Sequence, residues 1–318
     1  MPPPYGGGTL AVVPADATPA RATIPEWIEG ARPRTLPAAV APVLAGTAAA
    51  VWADGFVWWK ALLALGVSLA LQVGVNYAND YSDGVRGTDD DRVGPLRLVG
   101  SGLASPSSVR NAAVGFLALG AVLGLALAAT TTWWLLVVGV AAIAAAWTYT
   151  GGATPYGYRA LGEVSVFVFF GLVAVLGTTY VQVERLTAES WLAAVGVGAL
   201  ACAILVANNL RDIPTDVLAD KRTLAVLLGD TATRRLLLAL VVVSAACLVA
   251  MAFTATPWVL LGLLGLLPAV GALRVVLAGA TGRDLIVVLK SIGVAELLYA
   301  VGLGAGLVGV VLLGGGPP

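Results

Sequence analysis

Two groups of carboxylates and carboxamides stand at the ends of strongly apolar stretches of this chain. The first runs Asn76-Tyr-Ala-Asn79-Asp80-Tyr-Ser-Asp83-Gly-Val-Arg86-Gly-Thr-Asp89-Asp90-Asp91. The second runs Asn208-Asn209-Leu-Arg211-Asp212-Ile-Pro-Thr-Asp216-Val-Leu-Ala-Asp220-Lys221-Arg222. Carboxylates are costly to keep at the edge of a hydrocarbon layer, so their presence there points to a chemical role. Donor sets made only of oxygen suit Mg²⁺, which keeps several waters and takes one or two carboxylates together with substrate phosphates. Spacings of four and seven return to one helix face. If the helices run on past their apolar parts, Asn76, Asp80 and Asp83 form one stripe, and Asn208, Asp212 and Asp216 a second. Two such stripes face to face can hold Mg²⁺ and a diphosphate. The plainer alternative is a solvated acidic rim.

Basic residues flank both groups: Arg86, Arg92, Arg97, Arg211, Lys221 and Arg222. Lys221 and Arg97 stand out as clamps for phosphate oxygens, against a role in setting topology alone. The run Asp89 to Asp91 reads as a solvated loop, with Asp89 the member closest to the site. Pro214, between Asp212 and Asp216, lacks an N–H and would kink a continuing helix. Histidine is absent, which excludes His metal ligands and a His general base. Cys202 and Cys247 lie within apolar runs and read as packing residues.

The elements that must position these groups are membrane helices. The 318 residues are 59% hydrophobic and 11% charged, where a soluble domain has about 25% charged residues. A span needs about 20 mostly apolar residues. Nine such stretches are read, at 36–53, 57–79, 109–130, 133–150, 161–182, 191–210, 234–254, 257–279 and 285–312. The expected fold is an all-α integral membrane protein, with nine transmembrane helices around a central cavity open to the cytoplasmic side. Long polar connections are expected at 80–108 and 211–233. Residues 1–24 read as a disordered tail and 25–318 as one polytopic domain. With the N-terminus in the cytoplasm, Lys60 and Arg185 are the basic residues left outside, as the positive-inside rule requires. Trp52, Trp58, Trp59, Trp133, Trp134, Trp191 and Trp258 then form one outer aromatic belt. Both acidic groups fall on the cytoplasmic face of the cell membrane. Asn76-x₃-Asp80 and Asn208-x₃-Asp212 suggest a weak internal duplication. Charge balance, 18 basic against 18 acidic residues, gives no ground for a nucleic-acid partner, and no obligatory protein partner is evident.

Several motifs occur in order: Ala31-Arg-Pro-Arg-Thr-Leu-Pro37, Asn76-Tyr-Ala-Asn-Asp-Tyr-Ser-Asp83, Gly94-Pro-Leu-Arg-Leu-Val99 with Ser101-Gly-Leu, Tyr149-Thr-Gly-Gly152, Pro155-Tyr-Gly-Tyr158 with Leu161-Gly-Glu163, and Asn208-Asn-Leu-Arg-Asp212 with Lys221-Arg-Thr-Leu-Ala225. Through them the chain, over about residues 27 to 312, resembles the UbiA-type superfamily of membrane prenyltransferases. It is most similar to the branch that prenylates 1,4-dihydroxy-2-naphthoate in menaquinone synthesis. The resemblance implies two Asp-rich motifs that bind Mg²⁺ and an allylic polyprenyl diphosphate: Asn76, Asp80 and Asp83 in the first, Asp212 and Asp216 in the second. It also implies attack at the carboxylated ring carbon, loss of CO₂ and recovery of aromaticity, giving demethylmenaquinone. Gly87 stands where the wider pattern has a third acid, with Asp89 following. Asp220 replaces a Gly, and Ala153 a Pro.

On this reading Tyr149 and Tyr156 face the allylic cation or bond the diphosphate, and Arg32 and Arg34 receive the acceptor carboxylate or bind lipid headgroups. Asn76, Arg97, Asn208 and Arg222 complete the substrate-binding set. Lys290 and Glu296 are charges at or within the last span that pair if they approach. The rival enzymes are a related prenyltransferase with 4-hydroxybenzoate or homogentisate as acceptor and a membrane CDP-alcohol phosphotransferase. The second would place its further aspartates within one motif after Asp83. An ion-coupled transporter would place its acids at mid-helix, whereas these sit at helix ends.

Overall fold

The computed structural model of the chain describes residues 22–87 and 96–316. Of the expected tail at 1–24, residues 1–21 lie outside them, as do Asp89, Asp90, Asp91, Arg92 and Gly94-Pro95; at its end Thr23 is instead the N-cap of a helix that begins at Ile24. The helices are α1 Ile24–Gly30, α2 Pro37–Trp52, α3 Trp58–Arg86, α4 Pro106–Ala129, α5 Leu135–Thr148, α6 Gly162–Val166, α7 Gly177–Val183, α8 Ala188–Leu218, α9 Leu224–Thr254, α10 Leu261–Gly265, α11 Leu267–Leu277 and α12 Asp284–Leu312. A π-helical stretch, Phe167–Leu176, joins α6 to α7 without a break. No strand occurs among the described residues; a lone bridge pairs Arg159 with Arg222.

Among the described residues, six stretches are long and apolar enough to cross a membrane: α3, α4, Gly162–Val183, α8, α9 and α12. Two bent pairs, Ile24–Thr35 with Pro37–Trp52 at 49° and Pro257–Gly265 with Leu267–Leu277 at 46°, bring the number to eight if each is one span. Nine were expected. The shortfall is α5, whose 14 residues cover about 21 Å against about 30 Å of hydrocarbon.

The acidic groups were expected to open long loops. Instead α3 continues to Arg86 and α8 to Leu218, so Asp80, Asp83, Asp212 and Asp216 are all helical. Pro214 lies inside α8. The second connection shrinks to residues 219–223, and α9 has its break later, where Gly229 (φ 74°) takes a conformation open to glycine.

In a bilayer, helices associate through close packing of small residues rather than by escaping water. The core follows that rule. Ala41, Ala45 and Ala48 of α2 and Ala193, Ala194 and Ala203 of α8 are buried against one another's neighbourhoods in one cluster. The π-helical stretch meets α8 at Gly171, where an added Cβ would come within 2.7 Å of Gly198 Cα. One rim is tied by polar contacts: Lys60 Nζ donates to Thr131 Oγ1 (3.0 Å), Val57 N to Gln182 Oε1 (3.2 Å) and Arg185 to Ala53 O (2.7 Å). Trp58, Trp133, Trp134, Trp191 and Trp258 are exposed at helix ends, while Trp52 is buried. The acidic groups occupy the other rim.

Candidate functional site

On α3 the four side chains Gln72, Asn76, Asp80 and Asp83 descend one face, and all four are buried. Asn76 is engaged by its neighbours. Its amide donates to Ala31 O (2.9 Å) and Thr35 Oγ1 (3.0 Å), and its Oδ1 accepts from Gln72 Nε2 (3.2 Å). These bonds build the turn at Arg32, whose backbone is left-handed (φ 55°), a conformation unusual for a residue other than glycine. The turn brings Arg32 within electrostatic reach of Asp80. Arg34 is exposed.

Asp80 accepts two backbone N–H groups, Leu98 N at Oδ2 (2.8 Å) and Val99 N at Oδ1 (3.1 Å). It therefore anchors the segment after residue 95. Leu98 is fully buried and packs on Gly30 of α1. Asp83 takes the phenol of Tyr158 at Oδ1 (2.6 Å) and stands 3.6 Å at Oδ2 from Arg97.

On α8, Arg211 forms a two-point bond to Asp212, Nε to Oδ1 (2.6 Å) and a terminal nitrogen to Oδ2 (2.8 Å). Asn208 donates to the same carboxylate (3.3 Å) and accepts from Arg211 (2.8 Å). Asn76 and Asn208 thus make different contacts, so the sequence duplication does not extend to geometry. Asp216 is buried one turn further on, with Thr223 Oγ1 at 3.5 Å from its Oδ2.

The two groups are joined by the α5–α6 connection. Tyr158 gives its hydroxyl to Asp83 and its ring face to Lys221, whose Nζ lies 4.6 Å from the centroid. Arg86 flanks the same ring at 5.6 Å and donates to Thr150 O and Gly152 O. Thr150 Oγ1 bonds Asn79 (2.7 Å), and Arg222 N donates to Tyr158 O (3.0 Å) while the Arg222 side chain is exposed. Tyr158 closes the motif Pro155-Tyr-Gly-Tyr158 in the sequence but was given no role there. An aromatic residue in a short polar connection on the acidic rim was the available signal.

Tyr149 and Tyr156 meet edge to face, with centroids 5.5 Å apart. The Tyr156 hydroxyl bonds Ala145 O (2.9 Å) and Ser165 (2.8 Å). Burial pushes both phenols above their ordinary value; Glu163, Tyr156, Asp83 and Asp216 push Tyr149 further the same way. Tyr149 is thus within electrostatic reach of a carboxylate from each acidic helix.

Beside these groups opens an apolar cavity of about 350 Å³. Val67, Leu71, Ala142, Phe169, Phe170 and Val173 are among its walls, and Asn76, Asn79, Tyr149 and Tyr156 line its polar end. Glu163 lies behind that end, with Oε1 accepting from Asn209 (3.0 Å). Lys290 is exposed and Glu296 fully buried with neither oxygen hydrogen-bonded, so the two do not pair.

Among the described residues no three His, Cys, Asp or Glu side chains converge as a metal cluster. The donor chemistry still fits Mg²⁺, which needs only one or two carboxylates when diphosphate oxygens and water complete its shell. Asp83, bonded by the Tyr158 hydroxyl, and Asp216, whose main-chain carbonyl holds the Lys221 N–H, are the carboxylates tied to the contacts between the two groups.

The UbiA prenyltransferase family model matches residues 39–290. The chain is 57% identical over 286 residues to a Mycobacterium tuberculosis protein named 1,4-dihydroxy-2-naphthoate octaprenyltransferase, covering 90% of this chain and 98% of that one. It is 54% identical to a protein of the same name from Mycobacterium leprae, covering 90% and 97%. A solved structure of a UbiA homolog from Archaeoglobus fulgidus bound to DMAPP and Mg²⁺ superposes with a TM-score of 0.63 at 16% identity, covering 90% of this chain and 99% of that one. The chain belongs to the UbiA prenyltransferase family.

Proposed function

We propose that the chain transfers a polyprenyl group from a polyprenyl diphosphate to 1,4-dihydroxy-2-naphthoate, with loss of CO₂, to give the hydroquinone demethylmenaquinol, the two-electron-reduced form of demethylmenaquinone. The observation that carries this is the Asp83–Tyr158–Lys221 junction, which joins two acidic helices beside the polar end of an apolar cavity. The names of the relatives at 57% and 54% identity supply the acceptor.

Asp80, Asp83, Asp212 and Asp216 are the proposed carboxylates of the site, with Asp83 and Asp216 nearest the diphosphate. Bound Mg²⁺ would offset charge building on the leaving diphosphate. Lys221, Arg97 and Arg32 add fixed positive charge there. The allylic C–O bond breaks, and the diphosphate leaves with its electron pair. The carboxylated ring carbon attacks the allylic cation, and the neighbouring hydroxyl gives up its proton to become a ketone. Loss of CO₂ returns electrons to the ring, and the oxygen regains a proton. Tyr149 and Tyr156 line the polar end of the cavity and keep their phenol protons. The apolar walls exclude the water that would trap the cation, and the tail lies in the cavity and the adjoining lipid.

One polytopic domain over 25–318 is proposed, in the cell membrane, with α5 as a short ninth span. The acidic rim faces the cytoplasm, as the placement of basic residues and exposed tryptophans favours. The test supplies purified protein with Mg²⁺, polyprenyl diphosphate and either 1,4-dihydroxy-2-naphthoate, 4-hydroxybenzoate or homogentisate. Product and CO₂ from the naphthoate alone are expected. Turnover of another acceptor in its place would overturn the acceptor.

A further inference from the structure

We propose that Tyr158 is a positioning residue that sets the two acidic helices in register and seats Lys221 for the diphosphate; this deepens the reading above and rests on it. Its contacts run to both halves of the site. The hydroxyl holds Asp83 Oδ1 at 2.6 Å, so the other oxygen, Oδ2, is oriented by a fixed partner. The ring face carries the Lys221 ammonium at 4.6 Å, a cation–π distance. Its main-chain carbonyl accepts Arg222 N, and Arg159 bridges to Arg222, so the backbone of the α5–α6 connection is sewn to that of the α8–α9 connection. Arg86, near the end of α3, flanks the ring at 5.6 Å and donates to the same connection at Thr150 and Gly152.

One side chain therefore fixes the rotamer of an acid on α3 and the position of a cation beyond α8. A partner that orients a ligating carboxylate is worth about 10–100-fold in metal affinity or activity. The ring gives Lys221 a seat that leaves all three of its donors for phosphate oxygens, which an acidic partner would not. The Lys221 backbone is fixed separately, by its N–H to Asp216 O at 2.8 Å.

The two contacts separate by substitution. Tyr158→Phe removes the hydroxyl and keeps the ring; Tyr158→Leu removes both. The probe is thermal stabilisation of the full chain in lipid nanodiscs by Mg²⁺ with inorganic diphosphate, followed beside turnover. Tyr158→Phe should raise the Mg²⁺ concentration for half-maximal stabilisation about tenfold, with the diphosphate requirement and the KM for the aromatic acceptor unchanged. Tyr158→Leu should also weaken diphosphate, and that added loss should vanish in a Lys221→Met background. An unshifted Mg²⁺ midpoint in Tyr158→Phe overturns the proposal, as do additive diphosphate losses for Tyr158→Leu and Lys221→Met. Because the binding readout needs no turnover, a wild-type protein that binds Mg²⁺ and diphosphate yet prenylates no naphthoate would defeat the acceptor assignment while the Tyr158 result still stands or falls on its own.

Discussion

Asp80→Asn separates holding a loop from holding a metal. In the structure both carboxylate oxygens of Asp80 accept backbone N–H groups, from Leu98 at 2.8 Å and Val99 at 3.1 Å, and the side chain is 1% exposed. Asparagine offers one oxygen to those two donors and turns an NH₂ toward the other. One buried N–H is then left without a partner, which costs about 1–3 kcal/mol. At about 1.4 kcal/mol per tenfold, that predicts roughly 5–150-fold faster hydrogen exchange at residues 98 and 99. The segment matters beyond itself, because Leu98 packs on Gly30 and Leu103 O accepts from Ala22 N, so α1 loosens with it. Hydrogen exchange read by mass spectrometry on protein in nanodiscs, without Mg²⁺, measures this directly. Asp83→Asn is the control: Asp83 takes the Tyr158 hydroxyl and stands near the Arg97 side chain rather than holding Leu98 N or Val99 N, so exchange at 98 and 99 should stay at the wild-type rate. Wild-type exchange there in Asp80→Asn would refute the anchoring role.

Two further outcomes follow from packing and from the buried phenols. Gly265→Ala should lower the Tm by an overpacking cost of about 1–3 kcal/mol, because the new Cβ would lie 2.4 Å from the Leu298 and Tyr299 backbone; Gly139→Ala, in a cavity wall with nothing within 4 Å, should not lower it. Tyr149 and Tyr156 are held protonated by burial, above the value of an unfolded phenol. These phenols then hold more protons in the folded than in the unfolded state once pH passes 10, the ordinary phenol value, so their contribution to stability should be level below pH 10 and fall above it. Thermal melts across pH 8–11 should show that fall, and less of it in Tyr156→Phe.

The helices and the acidic groups were legible because apolar length and i, i+4 spacing are local properties of a chain. The same locality explains what was not. Asp80 and Asp83 look alike in sequence, yet one grips backbone N–H groups of a later segment and the other a phenol from the α5–α6 connection; nothing near either residue encodes that choice. Asn76 was read as a ligand alone, and its bonds to Ala31 O and Thr35, which organise the Arg32 turn, are set by how α1 folds back on α3. Arg211 was read as a general flanking charge, and it closes on its own neighbour Asp212. Tyr158 was quoted within a motif but given no role, because its importance lies in two contacts made across the molecule. The loops at 80–108 and 211–233 were drawn too long because charged residues end a hydropathy run before they end a helix. The span at 133–150 was drawn from apolar composition, while its helix is only 14 residues long.

The central claim is that the two acidic helices act as one diphosphate site. Its most direct test is binding of Mg²⁺ with inorganic diphosphate by isothermal titration calorimetry, on wild type, Asp83→Asn, Asp216→Asn and the double variant. The account predicts that either single substitution removes most of the affinity and that the double loses little more than one alone, since residues acting on one site are not additive. Two independent, additive losses, or wild-type affinity in either single variant, would contradict it.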